Sequence, residues 1–146
     1  MLVLLQRVAR ARVTVDAEVV GQIDGGLLAL VGIEPGDGDA QVARMAERLL
    51  GYRVFADSAG RMNRSLADTG GGLLLVSQFT LAADTASGMR PGFSTAAPPG
   101  SAEPVFNRLV DTCRTRHAGR VETGRFGAHM AVELVNDGPV TFLLKP

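Results

Sequence analysis

Two apolar runs in this chain stop abruptly at polar residues. Leu73-Leu74-Leu75-Val76 runs into Ser77-Gln78-Phe79-Thr80-Leu81, and Val132-Glu133-Leu134-Val135 runs into Asn136-Asp137-Gly138-Pro139-Val140-Thr141. Each apolar run reads as a buried strand, so the fold must accommodate a sheet with two polar strand ends. A hydroxyl or amide left unpaired at such a place costs free energy. Polar residues there more often build a site than a core. The Gly138-Pro139 pair adds a second constraint. A cis peptide is cheap only before proline, and a cis bond turns the backbone sharply. A main-chain carbonyl can then be aimed by a fixed turn instead of a mobile side chain. On the residues alone an ordinary trans turn is the commoner outcome, since only about 5–6% of X-Pro bonds in folded proteins are cis.

The remaining pattern is strand-rich. Residues 2–8 and 12–15 read as strands, and Asp16-Ala17-Glu18 as a hairpin turn into Val19-Val20. Gly25-Gly26 introduces a buried strand from Leu27 to Ile33. Glu34 to Asp39 breaks the pattern and opens a helix. Asp37 or Asp39 is placed to accept from the free amides of its first turn. Val42, Met45, Ala46 and Leu49 recur at helical spacing up to Gly51. Arg53 to Ala56 returns to strand, Asp57 to Gly60 turns, and Gly70-Gly71-Gly72 leads into the strand that ends at Ser77. Residues 83–100 form a loop rich in Gly, Pro, Ser and Ala, and loops of this length in compact domains are usually functional. A second helix is expected over about residues 102–116, with Val105, Phe106, Leu109, Val110 and Cys113 as its apolar stripe. Arg120 to Thr123, Met130 to Val135 and Val140 to Leu144 read as closing strands. A chain of 146 residues suits one domain, residues 1–146, burying roughly 70% of its unfolded surface. The expected class is α+β: curved, mixed, largely antiparallel β-sheets, barrel-like, with two packed helices.

Composition bounds the chemistry. Formal net charge is zero, which argues against holding nucleic acid by bulk electrostatics. Of the fifteen basic residues fourteen are Arg, the better partner for phosphate and for base stacking, so a local patch can still meet an RNA end. Cys113 is the only cysteine, so no intrachain disulfide forms, consistent with a reducing compartment. The apolar start is too short for a signal peptide, and no stretch approaches the roughly 20 apolar residues of a membrane helix. A cytoplasmic protein without membrane contact is expected.

Hydrolytic machinery is sparse. His117 falls at the end of the second helix, where its charge suits the helix C-terminus. His129 reads as a surface or pocket-rim residue. Cys113 sits on an apolar stripe and reads as core. One Cys and two His leave no set of zinc ligands, and no cofactor is expected. Thr80 is the one obvious hydroxyl nucleophile, against the plain alternative of a β-branched residue that suits a strand. No base stands beside it in sequence to activate it. Ser77 and Gln78 read as positioning groups. Phe79 offers a face to a base or ribose, or else belongs to the core. The amides of Phe79 and Thr80 are candidates to stabilise an oxyanion. Arg7 reads as a sheet-edge ion pair, and Arg90 as solvated, with RNA contact the alternative.

The segments SQFTL and NDGPVT resemble the two signatures of the D-aminoacyl-tRNA deacylases of the bacterial and eukaryotic type. The resemblance runs from end to end. It includes Leu4-Leu5-Gln6-Arg7-Val8, Gly26-Leu27-Leu28 with Val31-Gly32-Ile33, Met62-Asn63, Arg90-Pro91-Gly92-Phe93 and Gly124-Arg125-Phe126-Gly127-Ala128-His129-Met130. Gly92 and Arg12 stand where the family pattern has serine. The resemblance implies hydrolysis of the ester joining a D-amino acid to the terminal adenosine of tRNA, with mischarged glycyl-tRNA as a second substrate. It implies a homodimer in which a cis Gly138-Pro139 enters the partner's site and bars L-amino acids. Ser77, Gln78, Phe79 and Thr80 would then be catalytic. Leu81, Met130, Arg7, Gly138, Pro139 and Val140 would bind substrate or reject the wrong enantiomer, Arg7 by supporting the Gly-Pro loop. The partner is tRNA, not DNA. Two other readings stay open: a non-catalytic dimeric module that binds RNA ends, and an esterase using Thr80 as nucleophile.

Overall fold

The structure is a computed structural model that describes residues 1–146. Its order is β1 (Leu2–Val15), β2 (Glu18–Ile23), β3 (Gly26–Gly32), α1 (Asp39–Gly51), β4 (Phe55–Ala56), β5 (Met62–Arg64), α2 (Leu66–Thr69), β6 (Gly72–Ser77), a 3-10 turn (Phe79–Ala82), α3 (Pro99–Arg116), β7 (Val121–Thr123) and β8 (Ala131–Leu144). This is the expected α+β class, with a curled mixed sheet and helices packed on it.

The strand β1 organises the sheet. Along one side it pairs antiparallel with β8 from Val3 to Thr14. Along the other it pairs first with β3 and then, past Val8, with β2. The expected break between residues 8 and 12 is therefore absent, and one long strand changes partner instead. The β1–β2 turn places Asp16 and Ala17 at φ 49° and 63°. Positive φ at both central residues is the turn geometry that matches the twist of a two-residue hairpin. The parallel pairs β3–β6 and β6–β7 complete the sheet. It curls until β2 meets β7. A Cβ on Gly21 would lie 2.2 Å from the Thr123 carbonyl oxygen, so only glycine permits that approach.

The sheet is covered on both faces. Leu27, Leu73, Leu75, Met45, Leu49, Phe106 and Leu109 lie in the larger cluster, between the sheet and helices α1 and α3. Val8, Val13, Leu28, Leu74 and Val76 form a smaller one on the opposite face. Successive strand side chains point to opposite faces, so the unbroken run Leu73 to Val76 supplies both.

Several details differ from the sequence expectation. Neither Asp37 nor Asp39 caps α1. The Asp37 carboxylate accepts from the Glu34 amide at 2.8 Å and faces the Met1 ammonium, while Asp39 pairs with Arg108. The Gly38 amide instead donates to the Gln41 side chain at 3.0 Å. A third helix, α2, follows β5. Ser65 accepts from the Asp68 amide, and the Asp68 carboxylate takes the Ser65 N–H, a reciprocal cap. Helix α3 starts three residues earlier than expected, with Pro99 at its first position, where a missing N–H is harmless. Only Phe55 and Ala56 of the segment 53–56 pair as strand. Arg120 lies outside β7.

Candidate functional site

The strand β6 ends at Ser77, beside the end of β3, on the carboxyl side of a parallel pair. The Gln78 amide donates to the Val31 carbonyl at 2.7 Å and turns the chain into the 3-10 turn. The first amides of such a turn, those of Phe79 and Thr80, have no carbonyl one turn back to bind.

A cleft of about 480 Å³ opens at this end, lined by Val31, Ile33, Ser77, Phe79, Phe93, the Ala96–Pro99 segment, Ala102, Phe126 and Gly127. Its walls are mainly apolar and include three aromatic rings. Phe79 and Phe93 pack at a tilt of 55° with ring centroids 5.3 Å apart, and both are exposed, at 58% and 47%. Phe126 is braced by Phe106 at 6.0 Å. Exposed rings around an apolar cleft mark a binding surface more than a core. The long loop folds back to form one wall. Thr95 donates to the Ala82 carbonyl at 2.6 Å, and the Ala97 amide to Ile33 at 2.9 Å.

Thr80 is exposed, and its hydroxyl accepts from the Gln78 side-chain amide. No basic side chain hydrogen-bonds to it. His117 is at the other end of β6: its ring is buried and donates through Nε2 to the Gly71 carbonyl at 2.8 Å. It serves as a packing contact, not simply a charge at a helix end. His129 is exposed and does not line the cleft. Burial pushes the Cys113 thiol up to about 12, which leaves it inert.

A second group forms in the middle of β8. Gln6 pairs with Thr141 and Val8 with Asn136, so Asp137 to Val140 stand opposite Arg7 alone. The surplus residues bulge out of the sheet. The Gly138–Pro139 peptide bond is cis, and Gly138 has φ 130°. A Cβ there would meet the Val140 side chain at 2.7 Å, so the position requires glycine. Side chains tie the bulge down on both flanks. Arg7 donates through Nε to the Asp137 carbonyl at 3.1 Å and through Nη1 to the Val54 carbonyl at 2.6 Å. It also pairs with the Asp137 carboxylate at 3.2 Å. The Asn136 amide donates to the Arg7 and Val140 carbonyls at 3.0 and 3.1 Å. Gly138 and Pro139 themselves are exposed.

The chain thus assembles two groups of the named residues. Ser77, Gln78, Phe79 and Thr80 gather at the end of β6, with Leu81 against Gly32. Arg7, Gly138, Pro139 and Val140 gather at the bulge, and none of these four lines the cleft. Met130 joins neither; its sulfur lies close to Gly124, and the side chain packs on the smaller core cluster of the second sheet face. Sequence reasoning did not assign the cleft roles of Phe93, Phe126 and Ala97 or the stapling role of Asn136. Phe93 and Phe126 stood in motifs already noted, but only the folded loop shows that they share a cleft with Phe79.

Comparison with known proteins gives concordant results. A model of the family described as D-Tyr-tRNA(Tyr) deacylase matches residues 4–145. A D-aminoacyl-tRNA deacylase from Xanthomonas axonopodis pv. citri (strain 306) is 77% identical over 146 residues, covering all of both chains. Another from Stenotrophomonas maltophilia (strain K279a) is likewise 77% identical over the full length of both. Among solved structures, one named c-Myc DNA Unwinding Element Binding Protein superposes with a TM-score of 0.95 at 36% identity. That match covers 100% of this chain and 99% of the other.

Proposed function

The chain belongs to the D-Tyr-tRNA(Tyr) deacylase family and is an aminoacyl-tRNA deacylase, and on that premise we propose how its two groups of residues divide the work. The substrate is the ester between a D-amino acid and the terminal adenosine of tRNA. The cleft takes the adenosine, with Phe79, Phe93 and Phe126 offering faces to a planar ring. The ester then lies at the Ser77–Thr80 corner. Amides at the start of the 3-10 turn supply donors for the developing oxyanion. Such esters are already activated, and the neighbouring 2′-hydroxyl of the ribose takes part in the chemistry. The protein has to orient the ester, stabilise charge and admit water, which suits a corner without histidine.

The reading rests on the Gly138–Pro139 bulge: exposed main chain that is held rigidly by Arg7 and Asn136. In the proposed enzyme it enters the cleft of a second copy and reads handedness by exclusion. An L side chain would meet the backbone there, whereas a D side chain points elsewhere. A filter made of backbone ignores side-chain identity, so tolerance among D-amino acids is broad. Glycyl-tRNA, with no side chain to exclude, passes as well. The site works in a homodimer in the cytoplasm, without a cofactor.

Matched D- and L-tyrosyl-tRNA test the reading. Deacylation rates should differ by orders of magnitude, and comparable rates would rule out the bulge as a chiral filter. Release of the amino acid also separates this reading from a non-catalytic RNA-end-binding module.

A further inference from the structure

We propose that the β4–β5 hairpin, residues 53–64, is an arm that grips phosphates of the tRNA acceptor end. The inference rests on the deacylase reading and concerns residues that reading leaves without a role. Arg7, Arg12, Arg44, Arg108, Arg114 and Arg120 each have a carboxylate within 4.0 Å. Of the arginines that do not, three fall in this one segment: Arg53, Arg61 and Arg64. All three are exposed.

The acids nearest them in sequence are committed to the backbone. Asp57 accepts from the Arg61 and Ala59 amides at 3.0 and 2.9 Å, which holds its carboxyl below the usual range. Asp68 accepts from the Ser65 amide and hydroxyl, both at 2.8 Å, and is held low chiefly by them. The charges of Arg64 and Arg53 lower that carboxyl further, after the Ser65 hydrogen bonds.

Two of the three arginines are oriented in advance. Asn63 is the extra residue of a bulge between the Phe55–Arg64 and Ala56–Met62 pairs. Its side chain accepts from Arg53 Nη1 at 2.9 Å. Arg64 donates through Nη2 to the Asp68 carbonyl at 3.1 Å. A guanidinium carries five N–H donors, so one fixed bond leaves the others free for phosphate oxygens. This gives the Met62-Asn63 motif a function: Asn63 aims Arg53, and the exposed Met62 adds apolar surface between Arg61 and Arg64.

Location supplies the partner. The Val54 carbonyl at the base of the hairpin accepts from Arg7, whose other nitrogen holds Asp137. One guanidinium therefore joins the hairpin to the bulge that faces the amino acid. In this proposal the RNA strand leading away from the amino acid runs past the hairpin. A protein of zero net charge can concentrate its grip in such a patch.

The experiment compares two substrates, D-tyrosyl-tRNA and D-tyrosyl-adenosine, in wild type and in the triple variant Arg53→Gln, Arg61→Gln, Arg64→Gln. The fragment lacks the phosphates. The triple variant should lose about tenfold or more in kcat/KM on the tRNA at low salt, and stay within about twofold of wild type on the fragment. The log-log salt dependence should flatten by about two units, at roughly 0.7–0.9 for each phosphate no longer neutralised. Arg44→Gln, an ion-paired arginine on α1, should change neither. Equal losses on both substrates, or an unchanged salt slope, would overturn the proposal. Arg61→Gln alone guards against a folding defect, since that side chain makes no hydrogen bond; it should flatten the slope by just under one unit. Wild type inactive on both substrates would instead sink the deacylase reading and the hairpin's role with it.

Discussion

The Thr80 hydroxyl is held by an amide, not by a base, and that limits what it can do. A hydroxyl without a general base is a poor nucleophile at neutral pH. Thr80→Ala should keep kcat on D-tyrosyl-tRNA within about tenfold of wild type. A drop of many orders of magnitude, as when a hydrolase loses its nucleophile, would favour covalent catalysis by Thr80. Arg7 has the opposite character, because it works by geometry. Its fork spans the carbonyls of Asp137 and Val54, a reach that a lysine ammonium does not reproduce. Arg7→Lys should lower the ratio of D- to L-tyrosyl-tRNA turnover by about tenfold or more while protein recovery and the far-UV spectrum stay normal. Cys113 offers a readout of pH. Its thiol ionises near 8.5 when unfolded but only near about 12 in the fold, because burial disfavours the thiolate. The raised value means that its stabilising effect is complete below the unfolded pKa and fades as pH climbs above it. Unfolding midpoints in urea should therefore decline from pH 9 upward, and Cys113→Val should remove that component.

At the scale of elements, legibility followed periodicity. The spacing of Val42, Met45, Ala46 and Leu49 marked α1, and all four are buried. The run Leu73 to Val76 marked a strand covered on both faces. What escaped was set by partners far along the chain. The continuity of β1 depends on β8, which is more than a hundred residues away, so residues 9–11 gave no local sign of it. Likewise the sequence placed Gly138-Pro139 between two strands, whereas one strand passes through and bulges. The motif named those residues, but the staple from Asn136 and Arg7 exists only after pairing. The short helix α2 did leave a local sign, Ser65 three residues before Asp68 and Gly70 as a left-handed stop, that went unused. Because its cap is reciprocal and Ser65 is buried, Ser65→Ala should lower unfolding free energy by about 1 kcal/mol. Urea titration checks this, and no change in midpoint would mean that α2 does not depend on its cap.

For the whole molecule, the two sheet faces are unequally covered. Helices close one. The other carries eight buried residues, with Val20, Leu30, Met130, Val132 and Leu134 only partly covered around them. A face of that kind, together with a bulge that does not line its own chain's cleft, fits the proposed homodimer. Sedimentation should give one species of about twice 15.3 kDa, and a fully active monomer would refute it. The bulge has one more consequence, for keeping the chain dispersed. The strand β8 is fourteen residues long and pairs only with β1, so its outer side is a sheet edge. Long flat edges template the open-ended addition of further chains, the first step toward fibrils. Here the row of main-chain groups is cut near its middle. Asp137 places a charge there, Pro139 lacks the N–H that a docking strand would need, and the backbone leaves the sheet plane. The edge is left as two shorter stretches instead of one continuous template, so the same few residues proposed to judge the handedness of an amino acid also work against self-association without end.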